Sequence, residues 1–143
     1  MAGYSGKPLA QKLGIKMGFA VAAIGAPHHY RALLEPLPAR VRFGTVEDEP
    51  QLIHYFCTER ARFAKDLPLL RKKMRDDAML WISWPKKSAG VPTTMTEDVV
   101  REVALPLGLV DTKVCAVDEI WSGLRLVVRV ANRKLTVPKR PVA

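Results

Sequence analysis

The sequence predicts an α/β fold, a three-layer sandwich whose mainly parallel sheet ends in an antiparallel strand pair. Three observations carry this. The continuous apolar runs Phe19–Ile24, Leu52–Cys57 and Met79–Trp84 are entered or left through Gly, Pro or Asp, as strands buried on both faces of a parallel sheet are. Stretches with helical apolar spacing alternate with them, which is what a crossover between parallel neighbours requires. The two last β-rich runs, Leu109–Val117 and Leu124–Val130, are joined by six residues, a hairpin-length connection.

Each element follows from its local chemistry. Between Ser5 and Ile15, Pro8 near the start and Gly14 past the end mark a short helix, read as a lid or brace outside the core. Phe19–Ile24 suits an interior strand left through Gly25-Ala26-Pro27, and His28–Glu35 a short helix stopped by Pro36 and Pro38. Val41–Val46 alternates as a strand should, followed by the acidic turn Glu47–Pro50. About six residues at roughly 3.4 Å each barely return the chain for a parallel pair with the next strand. Either Val41–Val46 is short or the pair is antiparallel.

Thr58 is placed to cap a helix running to Arg75, with Phe63, Leu67, Leu70 and Met74 on one face and a break near Asp66 ahead of Pro68. Met79–Trp84 follows as a strand and ends at Pro85 in the cationic loop Lys86-Lys87-Ser88-Ala89-Gly90. Thr94-Met95-Thr96-Glu97 reads as a capping box for a helix that turns Val99, Val100, Val103, Ala104 and Leu107 inward and stops at Gly108. In the final strand Leu124, Leu126, Val128 and Val130 alternate with Arg125 and Arg129. Residues 1–131 form one domain on this reading, and 132–143 a basic tail.

Composition excludes several classes of function. The 143 residues hold 48% hydrophobic and 26% charged side chains, with no apolar run near the length of a membrane span. The first residues lack the apolar core of a secretory signal, so a cytoplasmic address is expected. Cys57 and Cys115 lie in apolar runs and are too few for a disulfide framework. Net charge is +9, carried by the ends: residues 1–34 and 120–143 contain Lys and Arg but no acid. Basic termini on a near-neutral core raise nucleic acid as a partner.

Candidate site residues cluster where the strands end. Lys86 and Lys87, beside Trp84, follow a strand and precede a helix start, where ammonium and backbone N–H groups can meet a small anion. His28 and His29, with Gly25, follow the first strand and belong at the same carboxyl-end crevice. Asp118, Glu119 and Trp121 in the last turn form a candidate contact for a protein partner. His54 and Cys57, three apart on a strand, point to opposite faces, so no metal is expected. GxSxG, HExxH, CxxC and P-loop patterns are all missing from the sequence.

Two resemblances emerge from these residues. Tyr4-Ser-Gly-Lys-Pro-Leu-Ala10, Trp84-Pro-Lys-Lys87, Leu105-Pro-Leu-Gly-Leu-Val-Asp111 and Ala116-Val-Asp-Glu-Ile-Trp-Ser-Gly123 resemble the small bacterial proteins grouped as domain of unknown function 3052, which implies no activity. The order of elements is similar to a shortened class I methyltransferase domain, a Rossmann-like fold. That likeness implies S-adenosylmethionine on the loop after the first strand, with Glu47 or Asp48 toward the ribose. The loop Gly25-Ala-Pro-His-His-Tyr30 has one glycine and no preceding acid, so no cofactor is expected. The expectation is a non-catalytic binding or regulatory domain. Its alternatives are an active S-adenosylmethionine-dependent methyltransferase and a nucleic-acid-associated protein acting through its basic ends.

Overall fold

The computed structural model describes residues 7–133. The expected basic tail lies, from Lys134 onward, outside the described residues. Six strands, β1 (Ala20–Ile24), β2 (Arg42–Gly44), β3 (Leu52–Phe56), β4 (Met79–Pro85), β5 (Leu109–Ala116) and β6 (Trp121–Val128), form one sheet in the order β2-β1-β3-β4-β6-β5. β2, β1, β3 and β4 are parallel, with Val21 opposite Leu52 and His54 opposite Trp81. β6 runs antiparallel to both β4 and β5. The mainly parallel sheet ending in an antiparallel pair is therefore present as expected. β2 resolves the open question: it is three residues long, pairs parallel with β1 and ends opposite Ala22, so little return is needed before β3 starts opposite Val21.

All five residues of β3 are buried, which places this strand between two helical layers. One layer comprises α1 (Leu9–Leu13) and α2 (Tyr30–Leu34), whose Leu9, Leu13, Tyr30 and Leu34 pack with Val21, Leu52, Phe56 and Trp81. α3 (Arg60–Lys73) and α4 (Glu97–Ala104) form the other, where Phe63, Leu67, Val100 and Ala104 meet Ile53, Leu80, Ile82 and Leu124.

Three local expectations need correction. α1 is a core element and no brace, because Leu9 and Leu13 are sealed and the Trp81 indole N–H donates to the Leu13 carbonyl at 2.9 Å. α3 is one continuous helix with Pro68 inside it, not two pieces broken near Asp66. Proline there removes the bond to the Ala64 carbonyl and crowds the preceding turn, while buried Phe63, Leu67 and Leu70 hold the helix to the sheet on both sides of it. The caps also move. Glu59 precedes α3, and Thr94 from the distant loop accepts the Arg60 N–H at 2.7 Å; Thr96 caps α4 by accepting the Val99 N–H at 3.1 Å.

Candidate functional site

Where parallel strands end, their backbone groups lack lateral partners, and the connecting loops leave a crevice. In this sheet β1 ends at Ile24 and turns through Gly25 at φ +69°, while β3 ends at Phe56 and runs through Cys57 and Thr58 into α3. Cys57 ties that entry together, its thiol donating to the Glu59 carbonyl at 3.2 Å and its sulfur accepting the Glu59 N–H at 3.4 Å. α3 then lays Arg62, Asp66, Leu69 and Lys73 along one stripe, at spacings of four, three and four.

Two cavities meet over this stripe. One, of about 350 Å³, lies between Gly25, Phe56, Glu59, Arg62 and Trp121. Its neighbour, of about 270 Å³, is walled by Val46, Leu69 and Leu70, with Glu47 and Lys73 at its edge. Ile24, Tyr55 and Asp66 line both, so the two cavities adjoin across these residues and make up a two-part crevice. The first, at about 350 Å³, falls in the range of roughly 300–1,000 Å³ typical of small-molecule sites.

The electrostatics are local and paired. Tyr55 Oη donates to Asp66 Oδ2 at 2.7 Å, and Arg62 stands 3.8 Å from the same oxygen. Burial pushes the Tyr55 hydroxyl well above the ordinary phenol range, and the bond to Asp66 adds to this. Tyr55 therefore serves as a fixed donor that aims the carboxylate. The Lys73 ammonium donates to Glu47 at 2.7 Å and holds its carboxyl below the usual range.

The residues anticipated from sequence divide three ways. Gly25 and Trp121 line the crevice. His29 and Asp118, assigned to different candidate sites, come together at 3.7 Å, with the His28 ring edge-on to His29 at 5.6 Å. Trp84 is buried in the core under α3 and α4, Lys86 is half-buried with its backbone N–H on the Ile120 carbonyl, and Lys87 and Glu119 are exposed. None of these four lines either cavity. Sequence reasoning missed Tyr55, Asp66 and Arg62. The polar stripe at 62, 66 and 73, one residue out of phase with the core stripe at 63, 67, 70 and 74, carried that signal. Among the described residues no group of three His, Cys, Asp or Glu side chains is placed to hold a metal, and no helix is long and apolar enough to cross a membrane.

Searches of protein-family models and of curated proteins found no match. Solved structures do match. An S-adenosylmethionine-dependent methyltransferase from Aquifex aeolicus is similar with a TM-score of 0.57 at 14% identity, over 84% of this chain and 88% of that one. The Bacillus subtilis m1A22 tRNA methyltransferase TrmK gives 0.53 at 14% identity, over 92% and 72%. The O-methyltransferase NcsB1 of neocarzinostatin biosynthesis gives 0.57 at 13%, over 88% and 53%. The fold is that of class I methyltransferases. These identities speak for the fold alone, and the chemistry of the crevice lies in its own residues.

Proposed function

We propose that the chain is a small methyltransferase that binds S-adenosylmethionine in the crevice between β1, β3 and α3. The observation that supports this most directly is a two-part crevice with a carboxylate, Asp66, that lines both parts and is held by Tyr55. Neighbours of the same fold described with S-adenosylmethionine bound, NcsB1 among them, add to it. The expectation of a non-catalytic binding domain gives way to this reading, because ligand-sized space and an oriented acid lie where the sequence offered only a glycine-poor loop. Membership of the 3052 grouping is part of the proposal and rests on the sequence motifs.

The donor set fits the cofactor. Ile24, Val46, Leu69 and Leu70 offer an apolar slot for a purine, Asp66 and Glu47 offer acceptors for a ribose diol, and Arg62 and Glu59 offer one charge each to a zwitterionic amino-acid end. The departure is at Gly25. A Cβ there would come within 2.7 Å of the Phe56 carbonyl, so this glycine serves the close approach of β1 and β3 and opens no cradle. Pro27 further removes a backbone donor from the loop. Binding would therefore lean on α3 more than on the first loop. When bound, the cofactor supplies a methyl group activated on a sulfonium sulfur. The protein orients Asp66 through Tyr55 and walls off water with Phe56 and Trp121.

Calorimetric titration with S-adenosylmethionine and S-adenosylhomocysteine tests the reading. Micromolar binding is expected, weakened about tenfold or more by Asp66→Asn, the range for losing a charge-assisted hydrogen bond. No heat from either ligand at millimolar concentration rejects it.

A further inference from the structure

Residues 1–46 contain one acid, Glu35, and from Leu9 onward they fold into α1, β1, α2 and β2. The acid-poor beginning of the chain thus becomes one layer of the sandwich and its edge strand. The opposite layer carries the ion pairs: Arg60 with Glu102, Arg71 with Asp76, Lys73 with Glu47 and Arg101 with Asp111 join α3, α4 and the segments beside them. On the α1 and α2 side, cations are held by neutral groups instead. The Arg31 guanidinium lies 4.1 Å from the centre of the Phe43 ring, and Arg40 Nη2 donates to Met17 Sδ at 2.9 Å. Arg125 Nε donates to Thr112 Oγ1 at 2.8 Å, and Lys113 Nζ to the Lys12 carbonyl at 3.4 Å. Among the described residues neither these four nor exposed Lys16 forms an ion pair with a carboxylate.

These cations share one face. Arg125 reaches Gly14 at the end of α1, and the Gly18 N–H donates to the Ala39 carbonyl beside Arg40 at 3.0 Å. Between α1 and the Pro36–Pro38 turn the face opens into a groove of about 410 Å³, lined by Pro8, Ile15, Leu37 and Pro38 together with Gln11 and Lys16. Charges fixed in place by groups that do not neutralise them attract a polyanion. An apolar groove among them selects a strand with unpaired bases, since a duplex keeps its bases stacked inside.

We infer that this face binds single-stranded nucleic acid, with phosphates on Arg31, Arg40 and Arg125 and a base in the groove between α1 and the Pro36–Pro38 turn. The inference goes beyond the methyltransferase reading and does not rest on it, because none of these groups lines the crevice.

Fluorescence anisotropy of the full chain with a labelled oligouridylate, about twelve nucleotides long, tests this. Micromolar binding is expected at low salt. An abasic strand of equal length and the duplex with oligoadenylate should each bind about tenfold more weakly, the scale of one lost base contact. Replacing Arg31→Gln and Arg40→Gln together should flatten the fall of log affinity with log salt by about 0.7 for each cation removed. Gln11→Glu, which puts a carboxylate in the groove without changing its size, should weaken binding severalfold. Lys72→Gln, an equal loss of charge from an exposed position on α3, should leave binding unchanged. The proposal is overturned by no binding of the oligouridylate, by equal affinity for the abasic strand, or by a Lys72→Gln effect as large as that of either arginine. Binding to phosphatidylserine vesicles and not to the oligouridylate assigns the face to a lipid surface and overturns it as well. S-adenosylhomocysteine affinity should be the same in all these variants, so the two readings fail separately.

Discussion

Between α2 and β4 an imidazole is sealed from solvent. His54 Nδ1 lies 2.7 Å from Tyr30 Oη and Nε2 lies 2.7 Å from Ser83 Oγ, while its ring stacks on Phe56 at 4.2 Å. Both neighbours are hydroxyls, which accept from whichever nitrogen carries the proton and donate to the other, so the neutral ring is satisfied in either tautomer. A second proton would add a charge with no anion beside it, and burial pushes the His54 pKa down to about 3. An unfolded histidine titrates near 6.5. Between these values the unfolded chain binds the extra proton, so stability is full above the upper one and falls as pH drops toward the lower, by up to about 1.4 kcal/mol per pH unit. Urea denaturation at several pH values should show this slope in wild type. His54→Gln should be less stable at neutral pH, because it leaves hydroxyls unpaired, but should lose less on acidification; parallel slopes would refute the assignment. Strand period alone separated His54 from Cys57, and they do face opposite layers. The two hydroxyl partners come from α2 and β4, too distant in sequence for spacing to reveal.

At the scale of elements, apolar periodicity located the interior strands well. β1, β3 and β4 fall within one residue of the runs that announced them, because a strand buried on both faces has no room for a polar exception other than a paired one such as His54. Helix boundaries were less legible, since they depend on groups supplied from elsewhere. The donor at the start of α3 is satisfied by Thr94, thirty-four residues away, and no local capping pattern shows that. Pro68 is the sharpest case. It weakens α3 by a missing N–H and by crowding of the preceding turn, a penalty of about 3 kcal/mol in an unsupported helix. Burial of Phe63 before it and Leu70 after it outweighs that penalty here. Pro68→Ala should accordingly stabilise the protein by about 1–3 kcal/mol, with the far-ultraviolet helix signal unchanged or slightly increased. A loss of stability would mean that the proline ring, itself half-buried, contributes packing that alanine cannot replace.

The whole molecule is organised by where its sheet is interrupted. Parallel strands β1 to β4 send their carboxyl ends to one edge, and the antiparallel β6 begins at that same edge, so Trp121 and Asp118 join the β1 and β3 loops there. The sequence order implied that edge, but not that α3 would supply the crevice's charged stripe, which depends on how the helix is rotated over β3. At the opposite edge the fold closes on itself: the Arg129 N–H donates to the Gly108 carbonyl at 2.8 Å, Asn132 packs over Gly108, and Arg133 Nε donates to the Val128 carbonyl at 3.0 Å. The contacts of Asn132 and Arg133 carry the fold beyond residue 131, and we propose that the domain ends at Arg133. A chain ending there should melt within about 1–2 °C of the full protein, less than a 1 kcal/mol change would produce, whereas one ending at Val128 should be clearly less stable because it loses the contacts with Gly108. The same shorter chain separates the two roles that charge and crevice suggest. Residues 134–143 contribute Lys134, Lys139 and Arg140 to the positive excess. If those cations engaged phosphates, removing them would flatten the fall of duplex-DNA affinity with log salt by about 0.9 per lost contact. A crevice-based methyltransferase predicts instead that S-adenosylhomocysteine affinity is the same in both chains and insensitive to the truncation at any salt concentration.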